Sequence, residues 1–481
     1  MNNKRAIHLL AVFCVMFITL IGYITYIEIR HGNEYTQSVY NARNTVRDQK
    51  VLRGSIYDRN MTALAYSEEE DGKITRKYPF DNLYSHVIGY VSKDYSNRTL
   101  LEMEYNADLL GGDSLSNVMN IKNRIETGKA KGNDLYLTID NELQKAADEA
   151  LGSYNGAIVA MNPKTGEILA MVSKPDFNPN PDVLSKNYDK LSDSTLYSRA
   201  FQVTYPPGST FKTVMSASIF ENGFENETYN DRNGQITIES DSGDKLNNHT
   251  FQNENKKYAY GMTDLKTAFR YSSNVYYAYM GSIMDTDMLQ KTAEDFYFNK
   301  DISFDMPVKK SSFQTGNMTN TERAMASIGQ GKTEATPLHL ALIASAVAND
   351  GIMPRPYVVS SVKSGAIPVY SATNKNIGRV TDKETAQKIK DMMLDVVKSG
   401  TGSAAQISGI DVCGKTGTSE NALTASDKKN SSKTHALFIG FAPYDDPQIA
   451  ISVIMEHAGF GGSAAAPAAR KVMQKFFTEL Q

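Results

Sequence analysis

Residues Leu135 to Val172 read LYLTIDNELQKAADEALGSYNGAIVAMNPKTGEILAMV, and this stretch contains the local rules of the fold. Leu135-Tyr136-Leu137-Thr138-Ile139 is strand-like. Asp140 then caps a helix in which Leu143, Ala146, Ala147, Ala150 and Leu151 recur at i, i+3, i+4, i+7 and i+8. Gly152 can end that helix. Two β-rich runs follow, Ala157 to Met161 and Glu167 to Val172, separated by Asn162-Pro163-Lys164-Thr165-Gly166, which has hairpin-turn chemistry. The far end repeats the pattern. Ala436 to Ala442 and Ile449 to Met455 flank Pro443-Tyr444-Asp445-Asp446-Pro447 and precede a helix with Val472, Phe476, Phe477 and Leu480 on one side. Residues 207 to 400, between these ends, read as helices and loops. The expected fold class is α+β, an antiparallel sheet with helices on its faces.

Upstream, Ala6 to Ile27 is an apolar run preceded by Lys4 and Arg5, long enough to span roughly 30 Å as a helix. Tyr23, Tyr26 and Ile27 lead straight into Glu28 and Arg30 with no small-residue cleavage site, so the run reads as an uncleaved signal anchor. The basic end predicts a cytoplasmic N-terminus and a chain that continues outside the membrane. From His31 to Lys131 the sequence is polar and tyrosine-rich, with short extended runs at Lys50 to Tyr57 and His86 to Val91, and Gly128 to Asn133 reads as a linker. The expected division is a tail at 1–5, a span at 6–27, a mainly-β N-terminal domain at 28–133 and a larger domain at 134–481.

Composition narrows the function. The 51 basic and 54 acidic residues of this 481-residue chain are interspersed, which excludes the basic stripe of a nucleic-acid binder. Cys14 and Cys413 lie in dissimilar segments and imply no disulfide framework; Cys413 reads as a small buried residue. The seven histidines are scattered without metal-ligand spacing, so neither a metal nor a cofactor is expected.

Three short elements occur in order: Ser209-Thr210-Phe211-Lys212, Ser272-Ser273-Asn274 and Lys415-Thr416-Gly417. Each is weak alone. The first pattern recurs at Ser242 to Lys245, Ser360 to Lys363 and Ser426 to Lys429, and the third at Lys164 to Gly166. Context selects Ser209, which follows Pro206-Pro207-Gly208 and opens an apolar-periodic run through Phe211, Val214, Met215 and Ile219 to Gly223. That places a hydroxyl in a first helical turn, with Lys212 one turn later on the same face. Serine is a poor nucleophile at neutral pH and needs a base within reach. Lysine serves as that base only if burial or a second cation lowers its proton affinity. Lys415 would supply the second cation, and would also attract a substrate carboxylate.

The ordered trio is the signature of β-lactamases and penicillin-binding proteins. With the surrounding residues the sequence resembles a class B penicillin-binding protein over nearly its whole length. The further matches are Arg53-Gly54-Ser55-Ile56-Tyr57-Asp58-Arg59-Asn60, Leu137-Thr138-Ile139-Asp140, Tyr205-Pro206-Pro207-Gly208-Ser209, Ile328-Gly329-Gln330-Gly331, Thr336-Pro337-Leu338, Ala348-Asn349-Asp350-Gly351 and His435-Ala436-Leu437-Phe438-Ile439-Gly440.

The resemblance implies a pedestal or dimerisation-like unit at 28–133, a transpeptidase domain at 134–481, and a D,D-transpeptidase that cross-links peptidoglycan stem peptides. In it Ser209 is the nucleophile, Lys212 the general base, Ser272 a proton relay and Asn274 a partner of the substrate amide. Lys415, Thr416 and Thr418 hold the terminal carboxylate, Gly417 allows close approach, and the N–H groups of Ser209 and Thr418 form the oxyanion hole. β-Lactams would be trapped on Ser209, and a multispanning membrane glycosyltransferase would be the partner. Two other readings use the same residues: a β-lactamase or D,D-carboxypeptidase that passes the acyl group to water, and a non-enzymatic β-lactam sensor or scaffold.

Overall fold

A computed structural model describes residues 4–37, 51–94, 97–112, 129–241, 248–254, 258–420 and 433–479. Helix α1 (Lys4–Gln37) contains an apolar stretch, Ile7–Ile27, long enough to cross a membrane, and its apolar side chains are exposed. Water would not tolerate such a surface on a free helix; a lipid bilayer would.

The N-terminal strands β1 (Ile56–Tyr57), β2 (Ala63–Glu70) and β3 (Lys73–Lys77) form an antiparallel meander. Strand β4 (Asp134–Leu137) pairs with β1 in parallel, although nearly eighty residues separate them. Helix α2 (Asn141–Leu151) follows, and the Asp140 carboxylate accepts from the N–H groups of Glu142 and Leu143, as the sequence predicts for its cap. Strands β5 (Gly156–Met161) and β6 (Ile168–Lys174) make the expected hairpin.

Helices α3 (Lys212–Glu221), α4 (Asn274–Ile283) and α5 (Pro337–Ala348) fill the middle. Strands β7 (Val359–Ser364) and β8 (Ile367–Ser371) extend the first sheet, whose order is β8-β7-β4-β1-β2-β3. Helix α6 (Lys383–Ser399) leads to β9 (Cys413–Ser419), β10 (His435–Ala442) and β11 (Ile449–Met455), and the chain closes on α7 (Ala465–Glu479). The second sheet has the order β9-β10-β11-β5-β6 and is antiparallel throughout.

Alternation along β10 sorts the core into two layers. Leu437, Ile439 and Phe441 join a core shared with α3 and α5, whereas Ala436, Phe438 and Ala442 join one shared with α2 and α7. A sheet buried on both faces explains why its strands are apolar almost without interruption. All twelve residues of α5 are buried, and this helix carries the central layer.

Two local expectations are overturned. His86 to Val91 is not a strand: the N–H groups of Val87 and Ile88 donate to Tyr84 O, and Gly89 has φ +79°, so the segment turns and buries Val87 and Ile88. Residues 129–133 are not a free linker either. Ala130–Lys131 pairs in parallel with Val51–Leu52, and a Cβ on Gly132 would lie 1.7 Å from Leu109 O. Gly128 and the helix position Leu480 lie outside the described residues.

Candidate active site

Gly208 to Phe211 forms a 3-10 turn rather than an α-helical one and runs directly into α3. The turn is fixed from two sides. Gly208 N–H donates to Gly329 O at 2.9 Å, and Gly208 itself has φ +52°. A Cβ on Gly208 would lie 2.4 Å from Thr418 O, and one on Gly417 would lie 2.8 Å from Thr210 Cγ2. Glycine is therefore needed where the serine turn meets the edge strand β9. Ser209 is half-buried, and among the described residues its hydroxyl has no hydrogen-bond partner.

The second motif sits in a break between two helices. Helix Leu265–Arg270 ends as Ser273 N–H donates to Ala268 O, and Ser272 adopts φ +57°, a left-handed conformation that costs energy for a residue with a Cβ. Ser273 then caps α4, accepting from Tyr276 N–H, and Asn274 is the first residue of that helix. The strained position thus carries the Ser272 hydroxyl into the cleft, and the cap fixes Asn274 beside it.

Lys212 and Lys415 are both fully buried. Lys212 Nζ donates to Ser272 O at 2.8 Å, Asn274 Oδ1 at 2.7 Å and Ser272 Oγ at 3.3 Å. Lys415 Nζ donates to Ser272 Oγ at 2.9 Å and Thr416 O at 3.1 Å. Burial, and then the charge of Lys415, hold the Lys212 amine well below the ordinary lysine range, while Glu254 acts in the opposite direction. Burial pushes Lys415 down to about 7, again partly offset by Glu254. Three acceptors surround Lys212 Nζ. The arrangement places two buried amines on one serine hydroxyl, next to the turn that carries Ser209.

The five candidate catalytic residues thus fall in one region, with Lys212, Ser272, Asn274 and Lys415 directly linked and Ser209 on the adjoining turn. Thr416 Oγ1 lies 2.6 Å from Thr401 Oγ1, Gly417 backs the serine turn, and Thr418 Oγ1 donates to Glu254 at 2.8 Å. The competing motifs are elsewhere. Ser360 lies in β7 and Lys164 in the β5–β6 turn, where it pairs with Asp446. Ser242 to Lys245 and Ser426 to Lys429 lie outside the described residues. Cys413 is buried, and burial pushes its thiol up, so it is a packing residue.

Sequence reasoning missed Gln252, Asn253, Glu254 and Thr401. Asn274 Nδ2 donates to Gln252 O at 2.9 Å, and Asn253 Oδ1 accepts from Ser273 Oγ at 3.1 Å. No local pattern marks these residues, because each reaches the site through a nonlocal contact.

Residues 156–474 match the penicillin binding protein transpeptidase domain, and residues 53–135 match the penicillin binding protein A dimerisation domain. The chain is 34% identical to the peptidoglycan D,D-transpeptidase MrdA of Acinetobacter baumannii, over 82% of this chain and 65% of that protein. It is 32% identical to the peptidoglycan D,D-transpeptidase PbpA of Mycolicibacterium smegmatis, over 95% of each. The penicillin G acyl-enzyme complex of penicillin-binding protein A from M. tuberculosis is similar at a TM-score of 0.81 and 29% identity, covering 89% of this chain and all of that one.

Proposed function

The chain belongs to the penicillin-binding protein transpeptidase family, and from that premise we propose that it is a peptidoglycan D,D-transpeptidase working through an acyl-serine intermediate on Ser209. The observation that carries this reading is the meeting of Lys212 and Lys415 on Ser272 Oγ, beside the serine turn pinned to β9.

In the first half-reaction the substrate carboxylate is held by Lys415, Thr416 and Thr418, with the peptide running along β9 past Gly417 and its amide on Asn274. Lys212, kept neutral by burial and by Lys415, takes the proton of Ser209 as Oγ attacks the carbonyl of the penultimate D-alanine. The N–H groups of Ser209 and Thr418 receive the developing oxyanion, a contribution typically worth about 3–4 kcal/mol of barrier. Ser272, bonded to both lysines, relays a proton to the leaving amine, and free D-alanine departs. An amine of a second stem peptide then takes the acyl group. β-Lactams enter the same cycle and stop at the ester.

Residues 6–27 anchor the enzyme, with residues 1–5 cytoplasmic and the catalytic unit outside. Residues 28–133 serve as the pedestal or dimerisation-like unit and 134–481 as the transpeptidase domain, and a multispanning membrane glycosyltransferase supplies the glycan. Mass spectrometry of the chain after penicillin labelling tests the central claim. The adduct is expected on the peptide containing Ser209, and an adduct on any other residue would refute it.

A further inference from the structure

The cleft already contains one carboxylate. Thr418 Oγ1, on edge strand β9, donates to Glu254 Oε1 at 2.8 Å, and Glu254 is otherwise exposed. The two residues before it are tied to the second motif. Gln252 O accepts from Asn274 Nδ2, and Asn253 Oδ1 accepts from Ser273 Oγ and from Val275 N–H at 3.2 Å. Asn253 Nδ2 in turn donates to the buried Asp231 carboxylate at 2.7 Å. The backbone of Glu254 is therefore anchored on the helix start that presents Asn274, and its side chain crosses to β9. Among the described residues it is the acid whose charge acts on both Lys212 and Lys415.

The two substrates of a transpeptidase have opposite character. The donor brings a carboxylate to the charged Lys415, which suits it. The acceptor brings an amine, which in water is an ammonium ion, and that cation has to reach the same acyl carbonyl past the charge of Lys415. Resting on the acyl-serine reading, we infer that Glu254 is an acceptor-binding residue: its carboxylate receives the ammonium of the second stem peptide and holds it beside the Ser209 ester. Departure of D-alanine frees the Thr418 hydroxyl to return to Glu254, which positions the carboxylate for the incoming cation. Loss of one proton frees the nitrogen lone pair, the nitrogen attacks the ester carbon, the C–N bond forms and the C–Oγ bond breaks. The proton lost before attack leaves to water at the open mouth, and the second passes through Lys212 to Ser209 Oγ as the adduct collapses.

The test is a partition experiment on the full chain in detergent. A thioester donor acylates the enzyme, and the acyl group is divided between water and an added amine, either glycinamide, a cation at neutral pH, or hydroxylamine, which is uncharged. Because the ratio is set after acylation, changes in acylation rate or in the amount of folded enzyme drop out. For Glu254→Gln the glycinamide-to-water ratio is expected to fall about tenfold, the scale of a lost charge-assisted hydrogen bond. The hydroxylamine ratio is expected to stay within about twofold, and Glu254→Asp to fall between the two enzymes. An unchanged glycinamide ratio, or an equal fall for both amines, would overturn the inference, as would a change confined to acylation. If the wild-type enzyme forms no acyl intermediate on Ser209, the reading that fails is the acyl-serine mechanism itself.

Discussion

Lys212 and Lys415 donate to the same oxygen: Ser272 Oγ lies 3.3 Å from Nζ of the first and 2.9 Å from Nζ of the second. Two buried ammonium groups at such separation repel, so protons are divided unequally between them. The mechanism proposed above uses that inequality, since its base has to be neutral while its carboxylate clamp has to be charged.

The first prediction is kinetic. With Lys415 pushed down to about 7, the free enzyme loses its clamp charge as pH rises through that value. The second-order rate constant for acylation by benzylpenicillin is therefore expected to fall on the alkaline side, from a midpoint near pH 7 and by up to about tenfold per unit, because this constant reports groups of the free enzyme. Lys415→Arg keeps the charge and should remove the limb while lowering the plateau, since a guanidinium does not reproduce the ammonium geometry. A rate that stays flat from about pH 7 to 9 in the parent enzyme would contradict the assignment.

The same burial leaves a thermodynamic trace. An unfolded lysine holds its proton up to about 10.5, whereas folded Lys415 releases it near 7, so between these values the unfolded chain binds more protons. Stability is then expected to be full above the unfolded value and to decline as pH falls toward the folded one. Melting temperatures of the parent and of Lys415→Met across this range provide the check. The parent should gain stability with pH more steeply than the variant, and parallel curves would sink the idea.

The fold could be read from sequence where local rules were strong. Asp140 capped its helix, both strand pairs formed near their expected bounds, and the trio was selected by the company it kept. The reading failed where nonlocal contacts decided. His86 to Val91 has the composition of a strand, but its N–H groups close turns on Tyr84 because the burial of Val87 and Ile88 comes from surrounding elements. Residues 129–133 look like a linker until the Val51–Leu52 strand and Leu109 O are placed against them. Glu254 was invisible for the same reason: its role depends on Thr418, 164 residues away.

Gly329 tests how the serine turn is held. Its φ is +73°, and an added Cβ would lie 2.1 Å from Gly208 O and 2.8 Å from Phe211 Cβ. Gly329→Ala therefore combines backbone strain with a clash against the turn that carries Ser209, and is expected to cost about 1–3 kcal/mol. Because the clash falls on the turn of the proposed nucleophile, penicillin acylation should slow further than the loss of folded protein explains. Gly223→Ala is the comparison, with a similar φ of +77° but open space around its Cβ. Equal acylation rates per folded molecule in the two variants would show that Gly329 does not position the serine.

The last prediction concerns the N-terminal region, where the Arg53 of the early motif finds its purpose. Glu102 is fully buried between two arginines, with Arg53 Nε at 2.6 Å and Arg76 Nε at 2.7 Å, and Tyr78 OH also donates to it. Burial pushes the Glu102 carboxyl up, but the charges and hydrogen bonds of Arg76 and Arg53 outweigh it, and the group is held below its ordinary value. Its contribution to stability is therefore present above the unfolded carboxyl pKa of about 4.5 and is lost as pH falls through the lower folded value. Glu102→Gln keeps the shape but removes the buried carboxylate that lies between the two guanidinium groups, which is expected to cost about 3–5 kcal/mol at neutral pH. Denaturant unfolding of the chain measures this directly. In the parent enzyme stability should fall below about pH 4.5, and that acid dependence should shrink in Glu102→Gln; a variant as stable as the parent at pH 7 would mean that the arginines are compensated elsewhere.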